Sequence, residues 1–193
     1  FLFATTNSFG GIGLEHRRSS ENALRAGYFK NWDRTVTRRT LLAHEMSHAW
    51  NGKFVRPRDL WTPHYNTPMQ NSLLWVYEGQ TQFWGQVLSA RSGLWSDEIT
   101  KGSLAALAAN LDSRRQGRAW RPLQDTTNQP IITARRPLSW VSWQRTEDYY
   151  DEGLLLWLAV DARIREITAE QRSIDDFAKA FFGTRPITAE PAL

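Results

Sequence analysis

The segment LAHEMSHAWN at residues 42–51 contains two histidines, His44 and His48, four residues apart. On a helix this spacing places both imidazoles on one face, about one turn apart, where they can bind the same metal ion. Glu45 directly follows His44 and could take a proton from a water that the ion polarises. The H-E-x-x-H pattern therefore predicts a hydrolytic metal site with Glu45 as its general base. The alternative is an ordinary amphipathic helix that happens to carry two histidines.

A catalytic zinc ion needs a third protein ligand and leaves one position open for water or substrate. The chain has no cysteine and four histidines, which excludes thiolate ligands, disulfide scaffolds and a cysteine nucleophile. Glu78 lies in the largely apolar stretch at residues 73–81, where burying an unpaired carboxylate would be costly and coordination would remove that cost. We therefore predict that His44, His48 and Glu78 bind Zn²⁺. A loop histidine, His64, is the alternative third ligand.

Three further segments accompany these residues: Trp50-Asn51, Arg56-Pro57 and, at residues 75–81, Trp75, Glu78-Gly79 and Thr81. Together with the H-E-x-x-H pattern they resemble the glycyl aminopeptidase family, the PDZ-bearing family 61 of metallopeptidases. In that family H-E-x-x-H-x-W-N is followed by R-P and then by W-x-x-E-G-x-T. The resemblance implies a thermolysin-like gluzincin catalytic domain with a glutamate ligand on the second helix. It also implies a zinc-dependent aminopeptidase that prefers Gly or Ala as the first residue of a peptide.

A fourth segment, Gly13-Leu14-Glu15-His16, resembles the family's G-G-L-E-H strand. In related aminopeptidases the glutamate of this motif binds the free α-amine of the substrate, so the resemblance implies that Glu15 is a substrate-binding residue. Here Ile12 displaces one glycine of the usual pair. If that change moves the amine anchor, the enzyme would be a zinc endopeptidase instead.

Residues 148–153, DYYDEG, resemble the family motif Y-Y-x-K-G. The tyrosine that precedes x-K-G donates a hydrogen bond to the developing oxyanion in the family, and by register that tyrosine is Tyr150. Tyr149 is the alternative donor. Glu152 replaces the usual lysine, and this charge reversal keeps open a non-catalytic peptide-binding or scaffold domain that retains the metal motif.

The elements that position these residues are predicted to be mostly helical, with a small β element in the first 30 residues. The first helix should begin after Asp33 or Thr35 and end at Asn51, with Gly52 as its stop. The remaining helices are predicted from Asn71 to before Gly93, from after Ser96 to about Arg115, from Glu147 to Ile167, and from the capping box at Ser173 to Gly183. Residues 117–143, with three prolines, read as a long loop.

Composition limits the partners. The 24 basic residues are scattered and nearly balanced by 20 acidic ones, for a net charge of +4, so we expect no nucleic-acid partner. The peptide substrate is implied by the family resemblance. No apolar run approaches the roughly 20 residues that cross a bilayer. We expect a catalytic domain over 1–183 and a linker or tail over 184–193. The resemblance implies a longer bacterial chain, periplasmic or secreted, with an N-terminal β-domain and a C-terminal PDZ domain.

Overall fold

The computed structural model describes residues 1–9, 11–128, 139, 145 and 147–183. Its strands are β1 (Leu2–Thr5), β2 (Ile12–Glu15) and β3 (Ser20–Leu24). Its α-helices are α1 (Thr40–Ser47), α2 (Leu74–Arg91), α3 (Asp97–Arg114), α4 (Leu123–Thr126), α5 (Asp148–Ile167) and α6 (Ile174–Phe182). The prediction of a mainly α fold with a small N-terminal β element is confirmed.

The three strands form one sheet in the order β1-β3-β2, with β1 parallel and β2 antiparallel to β3. Gly13 pairs with Asn22 and Glu15 with Ser20. Because side chains alternate along a strand, Gly13 and Glu15 share one face of β2. Within the described residues β2 is an edge strand, and this face contacts α1.

Helices α2 and α5 pack against each other and carry most of the apolar core. The buried core side chains are Phe83, Trp84, Leu154, Trp157 and Ile174. The two helices cross closely at Gly79 and Gly153, where a Cβ added to Gly79 would lie 2.8 Å from the Cα of Gly153. This close approach places the first turn of α5, with Tyr150, beside the part of α2 that carries Glu78.

The first helix is shorter than predicted. Two 3₁₀ turns, Trp32–Arg34 and Val36–Arg38, precede α1, and the helix ends at Ser47 rather than at Asn51. The chain leaves the helix because the Asn51 side-chain amide donates to α2, to the Tyr77 carbonyl and the Thr81 hydroxyl at 2.9 Å each. As predicted, Gly52 follows this stop with a positive φ of 110°.

The helix starts agree with their predicted caps in two of three cases. The Ser96 hydroxyl accepts the Ile99 N–H at 3.3 Å, and Ser173 forms the predicted capping box. Asn71 was wrong as the cap of α2, which begins at Leu74, because the Asn71 carbonyl rather than its side chain accepts the Leu74 N–H.

The segment predicted as a long loop contains a 3₁₀ turn, Gln116–Ala119, and helix α4 directly after Pro122. The loop prediction is therefore wrong there, since proline is well suited to the start of a helix. Residues 129–138 and 140–144 lie outside the described residues, as does the predicted tail at 184–193. Within the described ranges no helix is both long enough and apolar enough to cross a membrane.

Candidate active site

Three potential ligand atoms converge where α1 meets α2. The Nε2 atoms of His44 and His48 lie 3.2 Å apart, and Glu78 Oε2 lies 3.4 and 3.5 Å from them. His44 and His48 are buried, and the side chain of Glu78 is 13% exposed. The structure thus brings together the three residues that the sequence predicts as metal ligands.

This geometry fits a tetrahedral metal ion. Ligand atoms about 2.1 Å from a zinc ion lie about 3.4 Å from one another, which matches the three observed separations. Glu78 Oε2 is buried and has no hydrogen-bond partner among the described residues. Burial alone would raise the pKa of Glu78, but the two facing imidazoles lower it to about 2, so the carboxylate is ionised as a ligand must be.

Asn51 and Thr81 fix the orientation of His48. The Nδ1 of His48 lies 3.0 Å from the Asn51 carbonyl and 3.4 Å from the Thr81 hydroxyl. When Nδ1–H donates to that carbonyl, Nε2 presents its lone pair to the ligand position. Both residues belong to the sequence motifs, but the pattern alone did not indicate this role.

The general-base candidate Glu45 lies against the backbone of β2. A Cβ added to Gly13 would lie 1.9 Å from Glu45 Oε1, so only glycine leaves room for this carboxylate. Glu45 Oε2 is buried without a hydrogen-bond partner among the described residues. Burial raises the pKa of Glu45, while the neighbouring histidines oppose that rise. The free oxygen can accept a hydrogen bond from a water.

Glu15 lies on the other side of His48, and potential ligand atoms of Glu15, Glu45 and His48 fall within 4.8 Å of one another. The Tyr77 hydroxyl donates to Glu15 Oε1 at 2.5 Å, and the Lys53 Nζ lies 3.3 Å from the same oxygen. Burial alone would raise the pKa of Glu15, but the Tyr77 hydrogen bond and the charges of His48 and Lys53 lower it. Glu15 is therefore an ionised carboxylate that has already bound one ammonium group.

Tyr77 reaches Glu15 because its ring lies over Gly52. A Cβ at Gly52 would be 2.2 Å from that ring, which adds a steric requirement for glycine to the positive φ. Sequence reasoning missed Tyr77 and Lys53. The only sequence signal for these two residues was their position in the family motifs. Lys53 lies between Trp50-Asn51 and Arg56-Pro57, and Tyr77 directly precedes Glu78 in the W-x-x-E-G motif.

The two candidate oxyanion donors differ in position. The Tyr150 ring lies 6.1 Å from the His44 ring and lines the same cleft as His44 and Glu45. Tyr149 is 5% exposed and is not part of the cleft lining. Burial and the Glu78 charge raise the pKa of Tyr150, so its hydroxyl stays protonated and can donate a hydrogen bond.

Two other sequence candidates lie apart from the ligands. His64 is exposed in a loop and belongs to neither group of close potential ligands in the described residues. Glu152 belongs neither to the groups of close potential ligands nor to the cleft lining, and it pairs with Arg118, at 3.3 Å, and with Arg145. The negative charge of Glu152, which replaces the usual lysine, is thus compensated by Arg118 and Arg145.

An open cleft of about 700 Å³ begins at the site. His44, Glu45 and Tyr150 line one end. The wall is completed by β2, the end of β3 and the two 3₁₀ turns before α1, and includes Arg25, Arg34 and Arg38. The cleft can bind an extended ligand that passes the potential metal site. The carboxylate of Glu45 would then lie next to the bond that a water attacks.

Comparisons with known proteins agree with this geometry. A family model described as M61 glycyl aminopeptidase matches residues 37–156. A solved structure of an aminopeptidase N family protein from Idiomarina loihiensis is similar, with 21% identity and a TM-score of 0.75 over 95% of this chain. This chain spans 33% of the length of that protein. The likeness shows a shared fold. No match was found among curated proteins.

Proposed function

The chain belongs to the M61 glycyl aminopeptidase family, and from this we propose that it is a zinc-dependent aminopeptidase that hydrolyses the N-terminal bond of peptides. Membership of the family, predicted from the motifs, is confirmed. The observation that carries the proposal is the convergence of His44, His48 and Glu78, with separations of 3.2–3.5 Å, next to the carboxylate of Glu45. We extend the proposal to a thermolysin-like gluzincin architecture and to Gly or Ala as the preferred first residue.

In this proposal His44, His48 and Glu78 hold the metal. Zinc bound there supplies a Lewis acid for the scissile carbonyl and for the attacking water. Glu45 accepts the proton of that water as its oxygen bonds to the carbonyl carbon. Glu45 then returns the proton to the leaving amine nitrogen as the C–N bond breaks. Its burial and raised pKa suit a carboxylate that holds a proton between two transfers.

Glu15 and Tyr150 orient the substrate. The ionised Glu15 binds the α-ammonium of the substrate, with Tyr77 holding the carboxylate in place. Tyr150 donates its hydroxyl hydrogen to the oxygen on which negative charge develops, which is worth about 3 kcal/mol for single donors of this kind. Together they position the first peptide bond of the substrate, one residue from the free N-terminus, for hydrolysis.

The substrate class is tested with zinc-loaded protein and three compounds: Gly-p-nitroanilide, Ala-p-nitroanilide and N-acetyl-Ala-p-nitroanilide. We expect hydrolysis of the two free amines, loss of that activity with a chelator and its return with zinc. Preferential cleavage of blocked peptides would indicate an endopeptidase. Zinc binding without hydrolysis of any peptide would indicate a non-catalytic peptide-binding domain.

The mechanism is tested by Glu45→Gln. We expect kcat to fall by about 10³-fold or more, since general acid–base catalysis contributes roughly 10²–10⁴-fold, while one zinc ion per chain is retained. Glu98→Gln, in the exposed first turn of α3, is the matched control and should keep wild-type activity. Full activity in Glu45→Gln would overturn the assignment of the base.

A further inference from the structure

Three arginines line the cleft and have no side-chain partner within the described part of the chain. Arg25, Arg34 and Arg38 are exposed, and their guanidinium groups make no ion pair or hydrogen bond with any residue that the structure describes. The acidic residues of the same lining are Glu45, at the metal ligands, and Glu147, next to α5. The far wall of the cleft is therefore basic.

A neighbouring arginine shows what a structural role looks like here. Arg39 is 9% exposed and donates to the carbonyls of Leu94, at 2.9 Å, and Trp32, at 2.7 Å. Its guanidinium also lies 4.2 Å from the centre of the Trp32 ring. Arg39 thus holds the start of α1 through both terminal nitrogens of its guanidinium, whereas the guanidinium groups of the cleft arginines have donors available for a ligand.

The arginines and Glu15 lie on opposite sides of Glu45. Gly13 contacts the Glu45 carboxylate, and Glu15 follows two residues later on β2. In the other direction, a Cβ added to Gly11 would lie 3.8 Å from Nη1 of Arg38. The order along the strand is therefore Arg38, then Glu45, then Glu15.

Arg25 lies on the same side as Arg38. Ala23 of β3 pairs with Ile12, and β3 runs antiparallel to β2. Arg25 follows Ala23 by two residues, so it lies beyond Ile12 in the direction away from Glu15. Arg34 belongs to the 3₁₀ turn before Arg38 and completes the same wall.

This order gives the cleft a polarity for a peptide. With its ammonium at Glu15 and its scissile carbonyl at Glu45, an extended chain continues toward the arginines. Extended backbone advances about 3.3 Å per residue, so the two residues from Gly13 to Gly11 span about 7 Å. A carboxylate one to three residues past the scissile bond falls within reach of the guanidinium groups.

We propose that Arg25, Arg34 and Arg38 form a carboxylate-binding subsite on the C-terminal side of the scissile bond, so that the preferred substrates are short peptides. The inference rests on the proposed function and names its substrate class. The carboxylate is the free C-terminus of a short peptide; an Asp or Glu side chain at the same distance offers the same chemistry.

The test compares kcat/KM for Ala-Ala-Ala, Ala-Ala-Ala-amide and Ala-Ala-Glu-amide. We expect the free acid to exceed the neutral amide by about tenfold at low salt, with the ratio shrinking as salt screens the exposed charges. Recovery with the Glu-amide would assign the subsite to side chains as well. Equal rates for all three substrates would overturn the subsite and leave the aminopeptidase proposal standing. Hydrolysis of none would count against the function itself.

Substitution of the arginines tests whether they cause the preference for a substrate with a free C-terminal carboxylate. In Arg25→Gln/Arg34→Gln/Arg38→Gln the acid-to-amide ratio should fall to about one, mainly through a higher KM for the acid. Arg38→Gln alone should give the largest single effect because Arg38 lies closest to Gly11. Arg114→Gln, at the exposed end of α3, is the matched control and should keep the wild-type ratio. An unchanged ratio in the triple variant would overturn the proposal.

Discussion

Two groups of charged residues lie near the start of α5. The first is the candidate active site, with the carboxylates of Glu15, Glu45 and Glu78 around two histidines. The second, which we name the α5 cluster, joins the start of α5 to the segments before it. Its members are Arg115, Arg118, Arg145, Asp148 and Glu152.

The two groups differ in charge balance. In the α5 cluster, Arg145 bonds to Asp148, Glu152 and the Arg121 carbonyl, and both carboxylates have a second arginine. In the active site three carboxylates face one ammonium, that of Lys53, and oxygens of Glu45 and Glu78 lack hydrogen-bond partners among the described residues. In the α5 cluster each carboxylate is paired with arginines and the pairs hold the fold, whereas the buried, unpaired carboxylate oxygens of the active site are suited to the cation that we propose.

The largest effect on stability is expected in the α5 cluster. Arg145→Met should lower the free energy of unfolding by about 3 kcal/mol, because among the described residues it leaves the buried Asp148 with Arg115 alone, at 3.6 Å. Urea unfolding of the metal-free protein measures the change. Arg114→Met is the exposed control. Unchanged stability would mean that the cluster is not what holds α5 in place.

The second effect is on catalysis. Gly13→Ala should lower kcat by about 100-fold, since a methyl group 1.9 Å from Glu45 Oε1 must displace the base, and small misplacements cost about that much. Zinc affinity should change less than kcat, because the three atoms nearest to the new methyl group all belong to Glu45 and none to the three predicted metal ligands. Gly102→Ala, on open helix surface, is the control. Wild-type kcat in Gly13→Ala would show that Glu45 does not act from this position.

The contrast also explains what the sequence could reveal. His44, Glu45 and His48 were predictable because a helix turns local spacing into spatial proximity. Glu78 was predictable from its apolar surroundings and from the family resemblance, not from local spacing. Asn51 and Tyr77 were not, because their roles depend on how the turn after α1 meets α2. The end of α1 was predicted too late for the same reason, since tertiary hydrogen bonds of Asn51 override the helical pattern.

The remaining features depend on contacts between segments that are distant in the sequence, and local spacing could not predict them. The α5 cluster and the cleft arginines draw on segments separated along the chain, and nothing in the local spacing of Arg38 or Arg145 distinguishes a free guanidinium from a buried one. The family resemblance supplied Glu15 and Tyr150 as candidates, whereas their partners became visible only with the fold.

The third prediction concerns the residues that orient His48, one of the predicted metal ligands. Asn51→Ala removes the side-chain bonds to Tyr77 and Thr81 that hold the turn whose carbonyl faces His48 Nδ1. Zinc affinity should fall about tenfold, the lower end for residues that orient metal ligands. Competition with a chromophoric chelator measures it. Asn66→Ala, in an exposed loop, should not change affinity; equal affinity in Asn51→Ala would show that His48 is oriented without this turn.

The smallest effect is expected where a charge pair is solvent-exposed. Arg91 donates two hydrogen bonds of 2.8 Å to Asp175, and these lower the pKa of Asp175 even though burial opposes them. Because both side chains are more than a third exposed, Asp175→Asn should cost only about 0.5 kcal/mol at neutral pH. A folded-state pKa below the unfolded value means that this stability is present above the unfolded pKa of about 3.9 and is lost as the pH falls through the folded one. Unfolding of both proteins from pH 7 to pH 2 measures the difference, with Asp97→Asn in the first turn of α3 as a control for the helix dipole. A cost as large as that of Arg145→Met would remove the distinction between buried and exposed pairs on which the comparison depends.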